Sequence, residues 1–195
     1  MDSKIEYIYR SFKESIDCKR RILENDDLVG DIKILADRMT QVLKDGGRVY
    51  LAGNGGSAAD SQHIAGELVS RFNFDRPGLP GVALTTDTSI LTAVSNDYGY
   101  QYVFSRQIEA LAKRGDMFIG ISTSGNSENI LYALRKSKEL GLYTVGFVGE
   151  SGGKMVGECD SLIRVPSTNT PTIQESHILI GHVVCGLVEN AMFGT

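Results

Sequence analysis

Apolar positions along the chain recur with two different periods. In the first 45 residues they fall three or four apart: Ile5, Ile8, Phe12 and Ile16 form one set, and Leu28, Ile32, Leu35, Met39 and Val42 another. That spacing places each set along one stripe of a helix. Two amphipathic helices are therefore expected, joined near Asn25 to Asp27. The second should stop at Asp45-Gly46-Gly47, where glycine can take the left-handed conformation that closes a helix. From there the apolar runs become short and nearly continuous: RVYLAG (48–53), GVALT (81–85), DMFIGIS (116–122), YTVGFVG (143–149) and SLIRVP (161–166). Strands buried on both faces read this way. Helical patterns fall between and after them, at 57–72, 89–96, 100–114, 127–140 and 172–192. The alternation predicts an α/β fold, a three-layer, doubly wound, five-stranded parallel sheet preceded by two N-terminal helices, in a single domain over 1–195.

Composition narrows the function. A chain of 195 residues with 42% hydrophobic content fills one core and is short for two. Its formal net charge of −4 offers no cationic field, so neither nucleic acid nor an acidic membrane surface is an expected partner, and small polar metabolites are. Cys18, Cys159 and Cys185 are scattered, odd in number and form no C-x-x-C pair, which fits a reducing compartment. MDSKIEYIYR lacks an apolar signal core, and ILIGHVVCGLV (178–188) is interrupted by His182 and shorter than a membrane span. A cytoplasmic location is expected.

In a doubly wound sheet, ligands collect beyond the carboxyl ends of the strands where the strand order reverses. The loops that follow the first and third strands are GNGGS (53–57) and STSGNS (122–127). Both combine glycine, which lets backbone N–H groups approach a ligand closely, with hydroxyl donors, and both lead into a helix N-terminus that favours negative charge. Either alone could be turn chemistry, with Ser124 and Ser127 merely capping a helix; two at adjacent strand ends point to a phosphate or a similar anion. Gly53, Gly55 and Ala58 also match G-x-G-x-x-A, but Asp75 precedes the second strand instead of ending it, so a dinucleotide fingerprint fails on context. A P-loop fails because no lysine follows the glycines.

Directly after the first loop, His63 and Glu67 lie one helical turn apart and can reach a common point. Such a pair is usually only solvated. The other two histidines, His177 and His182, sit in the apolar last helix, where polar residues need partners. Gln174 and His182 differ by about 80° around that helix and about 12 Å along it, so serving one metal would need long side chains turned toward each other, or two chains. His177 lies about 140° from His182 and is not expected in the same site.

GNGGSAADSQHIAGEL, the SNDYG of 95–99, STSGNS, and PTIQESHILIGH at 171–182 together resemble the bacterial phosphoheptose isomerases, members of the sugar-isomerase (SIS) domain superfamily with a flavodoxin-like sheet. The resemblance runs from about residue 28 to the end, in the same order and spacing. It implies a homotetramer that converts D-sedoheptulose 7-phosphate to D-glycero-D-manno-heptose 7-phosphate, opening heptose synthesis for lipopolysaccharide or related surface polysaccharides. It places one zinc ion per subunit on His63, Glu67, Gln174 and His182. It assigns substrate binding to Asn54, Gly55, Gly56, His63, Glu67, Asn96, Asp97, Ser122, Thr123, Ser124, Ser127 and Gln174, and matches Glu67 and His182 to the catalytic pair.

Ketose–aldose interconversion moves one proton between adjacent carbons and another between their oxygens, so a stabilised enediolate and a close base are required. The expected division has Glu67 carrying the proton from C1 to C2 and His182 passing a proton between O1 and O2, as a carboxylate and an imidazole divide the work in triosephosphate isomerase. Zinc would polarise the carbonyl. Coordination by these same two side chains competes with proton transfer, so either coordination is partial during turnover or the roles alternate. Rival readings are a non-catalytic SIS protein that binds a protein partner, as the replication-initiator-associating proteins do, and an isomerase of another phosphosugar. The greasy stripes of residues 1–45, together with the last helix, exceed what one five-stranded sheet must cover, so this helical pair is expected to pack against other subunits.

Overall fold

The computed structural model describes residues 2–194. Helix α1 spans Ser3–Leu23 and α2 spans Asp26–Lys44. Each is started by a side chain that satisfies an orphan N–H: Asp2 accepts from the amide of Lys4, and Asn25 from that of Leu28. Gly46, at φ 77°, closes α2 in the left-handed conformation expected of it. Five strands follow, β1 Val49–Gly53, β2 Gly81–Ala83, β3 Met117–Ile121, β4 Tyr143–Val148 and β5 Ser161–Arg164, all parallel in the order β2-β1-β3-β4-β5. The connecting helices are α3 Gly56–Val69, α4 Thr88–Asp97, α5 Ser105–Leu111, α6 Glu128–Leu140 and α7 Thr170–Phe193.

Alternation along each central strand splits the core in two. In β1, Val49 and Leu51 point to the face covered by α2, α3 and α7, while Tyr50 and Ala52 point to the face covered by α5 and α6. Every residue of β1 and β3 is buried, which is why both read as unbroken apolar runs. The stripe of α2 joins this core, with Leu28, Ile32, Leu35 and Met39 buried. Only the end of α1 does so, through Cys18 and Ile22; Ile5, Ile8, Phe12 and Ile16 are all exposed in the single chain, Phe12 by 69%.

Two expected helices are shorter than their patterns. The 100–114 segment is a single 3-10 turn at Tyr100–Tyr102 followed by α5, because Val103 and Phe104 turn inward between them and are almost wholly buried. The 57–72 helix ends at Val69, and the N–H groups of Phe72 and Asn73 are held instead by the Glu189 carboxylate. Helix α7 is long and apolar enough to span a membrane by length and composition alone, but it is a core helix that packs on α2 and α3 and buries Ser176, His177 and Glu189.

Candidate active site

The chain order puts β1 and β3 side by side at the point where the sheet reverses, so their following loops share one edge. In GNGGS, Gly55 takes φ 55° just before α3 begins, and any side chain at Gly53 would meet the Ser57 carbonyl at 2.5 Å. Gly53 and Gly55 are thus dictated by the turn itself. In STSGNS, Ser127 occupies the N-cap of α6 yet makes no capping bond; its hydroxyl lies 2.8 Å from that of Ser122. The capping explanation for Ser127 therefore fails, and two hydroxyls stand together at a helix N-terminus. Ser124 Oγ does accept the amide of Asn126, at 3.2 Å.

The first loop is tied to the first turn of α6, which the second loop leads into. Asn54 and Asn129 exchange amide hydrogen bonds of 3.0 and 2.8 Å, and the Tyr100 hydroxyl donates to Asn54 Oδ1 at 2.9 Å. Asn54, Tyr100 and Ser127 line a groove of about 340 Å³ between them.

Helices α3 and α7 pack against each other and bring three ligand-competent side chains together. His63 Nε2 lies 2.8 Å from His182 Nε2 and 3.1 Å from Glu67 Oε1. All three ligand atoms fall within 4.8 Å of one another, the one such group among the described residues. A single N–H cannot be donated fully to both neighbours, and three such atoms converging on one spot suit a cation better than a hydrogen-bond triad. Two imidazoles and a carboxylate are a donor set that zinc accepts while keeping a position open. Phe72 stacks on His182, with ring centroids 5.7 Å apart and planes at 28°, and closes one side of the cluster.

Residues 12–149 match the SIS domain family. Phosphoheptose isomerase of Aneurinibacillus thermoaerophilus is 58% identical over 96% of this chain and 95% of its own length. That of Burkholderia pseudomallei (strain 1710b) is 56% identical over 98% and 97%. The chain belongs to the phosphoheptose isomerase family of SIS-domain proteins. The fold agrees: the phosphoheptose isomerase of Neisseria gonorrhoeae superposes with a TM-score of 0.90 at 40% identity, covering 96% of this chain and all of that one, and the Francisella tularensis enzyme with 0.93 at 36%.

Within this phosphoheptose isomerase framework, Gln174 is bonded to Asp60, one turn before His63 on α3. Its Nε2 donates to Asp60 Oδ1 at 2.7 Å, and its side chain packs over Gly56 at the start of α3. Asp60 was not singled out by the sequence, although it lies one turn before His63 and so on the same helical face. Its carboxylate is buried, with Oδ2 unpartnered, and burial raises its pKa against the opposing pull of the Gln174 hydrogen bond and the nearby His63. Asn96 and Asp97 are exposed at the end of α4, bonded to each other at 2.8 Å. His177 points the other way into the core, bonded to the Val148 carbonyl at 3.1 Å, and burial pushes its pKa down to about 4. Burial, and after it the neighbouring Glu67 charge, pushes the pKa of the Cys185 thiol up to about 12.

Proposed function

We propose that this protein interconverts D-sedoheptulose 7-phosphate and D-glycero-D-manno-heptose 7-phosphate through an enediolate, with Glu67 and His182 as the proton-transfer pair. The reading rests on membership of the phosphoheptose isomerase family together with one observation: a carboxylate and an imidazole from different helices converge within 4.8 Å of one another. Glu67 removes the proton from C1 and returns it to C2. His182 moves a proton between O1 and O2, and Phe72 behind it keeps the ring in plane. At the far end, Ser122, Thr123, Ser124 and Ser127 receive the phosphate, helped by the N-terminus of α6. Asn54, Gly55 and Gly56 position the sugar between, with Asn96 and Asp97 contributing at its hydroxyls.

His63, Glu67, Gln174 and His182 would hold zinc, one ion per subunit; Asp60 fixes the amide of Gln174, whose oxygen is its ligand-competent atom. When bound, zinc supplies Lewis-acid polarisation of the substrate carbonyl. A homotetramer is supported by the exposed stripe Ile5, Ile8, Phe12 and Ile16 on α1 and by Leu179, Val183 and Leu187 on α7, all apolar and uncovered in one chain. A cytoplasmic enzyme supplying heptose for surface polysaccharide fits the three unpaired cysteines. Incubation of the purified protein with sedoheptulose 7-phosphate, with and without a chelator, and observation by NMR tests the reading. Appearance of the aldose supports it; no conversion by the metal-replete protein refutes it.

A further inference from the structure

The C-terminal end of α3 is gripped by a buried ion pair that the chemistry above leaves unused. The side chains of Arg76 and Glu189 are only 2% and 0% exposed. Glu189 stands on α7 two turns beyond His182, on the same face. Its Oε1 accepts from the amide of Phe72 at 2.8 Å and from Arg76 Nε at 3.1 Å, and its Oε2 from the amide of Asn73 at 2.6 Å. The remaining nitrogens of Arg76 go to carbonyls: Nη2 donates to that of Glu67 at 2.7 Å, and Nη1 to those of Leu68, Ser70 and Pro77 at 2.7, 3.1 and 3.1 Å.

These contacts reach both members of the proton-transfer pair through the backbone. The last carbonyls of α3 have no partner within the helix, and a guanidinium there also suits the negative end of the helix dipole. One of them is the carbonyl of Glu67 itself. Glu189 fixes the amide of Phe72, and the Phe72 ring lies against His182 and over Gly186, where an added Cβ would stand 3.3 Å from Phe72 Cε1. A buried ion pair is a weak device for stability, since apolar residues of the same size often do as well. What an apolar pair cannot do is direct a fork of donors onto several chosen carbonyls.

We propose that Arg76 and Glu189 form a positioning unit that sets the height of Glu67 on α3 and the ring plane of His182 on α7, so that carboxylate and imidazole meet over the same reacting atoms. The proposal rests on the assignment of Glu67 and His182 as the reacting pair. Neither Arg76 nor Glu189 touches substrate, so neither is a catalytic residue.

Glu189→Gln in the full-length protein is the direct test, because an amide NH2 must then face Arg76 or a backbone N–H and the cluster opens. At temperatures well below unfolding, kcat for sedoheptulose 7-phosphate is expected to fall about 10- to 100-fold with KM within about twofold. Cobalt(II) titration of chelator-treated protein provides a second readout: affinity should fall in the same range and the visible spectrum should change. Phe72→Leu leaves the backbone amide that Glu189 holds and removes the ring that stacks on His182, together with its Cε1 over Gly186, and should lower kcat about 2- to 10-fold at unchanged KM, which keeps the test decisive if Glu189→Gln does not fold. Folded variants with kcat and cobalt spectrum like the parent would overturn the proposal, as would a loss confined to KM. If the parent itself gives no cobalt spectrum, the metal assignment is what fails, and the kcat and KM values alone decide for or against the positioning role.

Discussion

The two ends of the candidate site are made of different material. At one end His63, Glu67 and His182 are single side chains projected from two packed helices, and in the proposed reaction each would have its own task. At the other end the ligand would meet clustered hydroxyls and amides on STSGNS, where Ser122 and Ser127 stand 2.8 Å apart and share the work. A site of the first kind is brittle and exact in residue type. One of the second kind is redundant, and depends on the backbone that holds it.

The sharpest break in that comparison is Glu67→Gln. Turnover should fall about 100- to 10,000-fold, the range for loss of a general base, while phosphosugar binding stays within about twofold. Steady-state kinetics combined with calorimetric binding would show it. At the redundant end, Ser127→Ala should raise KM by about 10-fold and leave kcat within about threefold, because a lost hydrogen bond to a charged group is worth roughly 1.5 kcal/mol or more and Ser122 remains. If Ser127→Ala lowered kcat as much as Glu67→Gln does, the two ends would not differ in kind.

A smaller effect concerns pH. His177 has its pKa lowered from 6.5 to about 4 by burial, so on acidification the unfolded chain takes up this proton before the folded chain does. Stability therefore declines as pH falls from about 6.5 to about 4. At about 1.4 kcal/mol per unit, the shift amounts to about 3 kcal/mol. In His177→Gln, which keeps a donor for the Val148 carbonyl, urea midpoints at pH 7 and pH 5 should differ less than in the parent, with turnover at pH 7 unchanged within about twofold.

Much of this architecture was legible in the sequence, and the exceptions share a cause. The three central strands β1, β3 and β4 were visible because they are buried on both faces, and α2 because its stripe lies on the sheet. The stripe of α1 correctly indicated a helix, but periodicity does not say what covers an apolar face, and in the single chain nothing covers Ile8 or Phe12. Helix α3 was expected to reach Phe72; it stops at Val69, with the N–H of Phe72 taken by Glu189, more than a hundred residues away. Such a long-range hydrogen bond leaves no local trace. The same holds in the site. One helical turn between His63 and Glu67 could be read directly, whereas their meeting with His182 required the packing of α3 on α7. Asp60 stood in plain view one turn before His63, yet its burial and its bond to Gln174 emerge only once α7 is in place.

The central claim is that Glu67 carries the proton between C1 and C2. The most direct measurement follows deuterium incorporation at those carbons by NMR, in heavy water, for the parent protein and Glu67→Gln with sedoheptulose 7-phosphate. The account predicts solvent deuterium appearing at the exchanging carbons with the parent protein and essentially none with Glu67→Gln, even when the variant is saturated with substrate. Exchange at the parent rate in Glu67→Gln would contradict it.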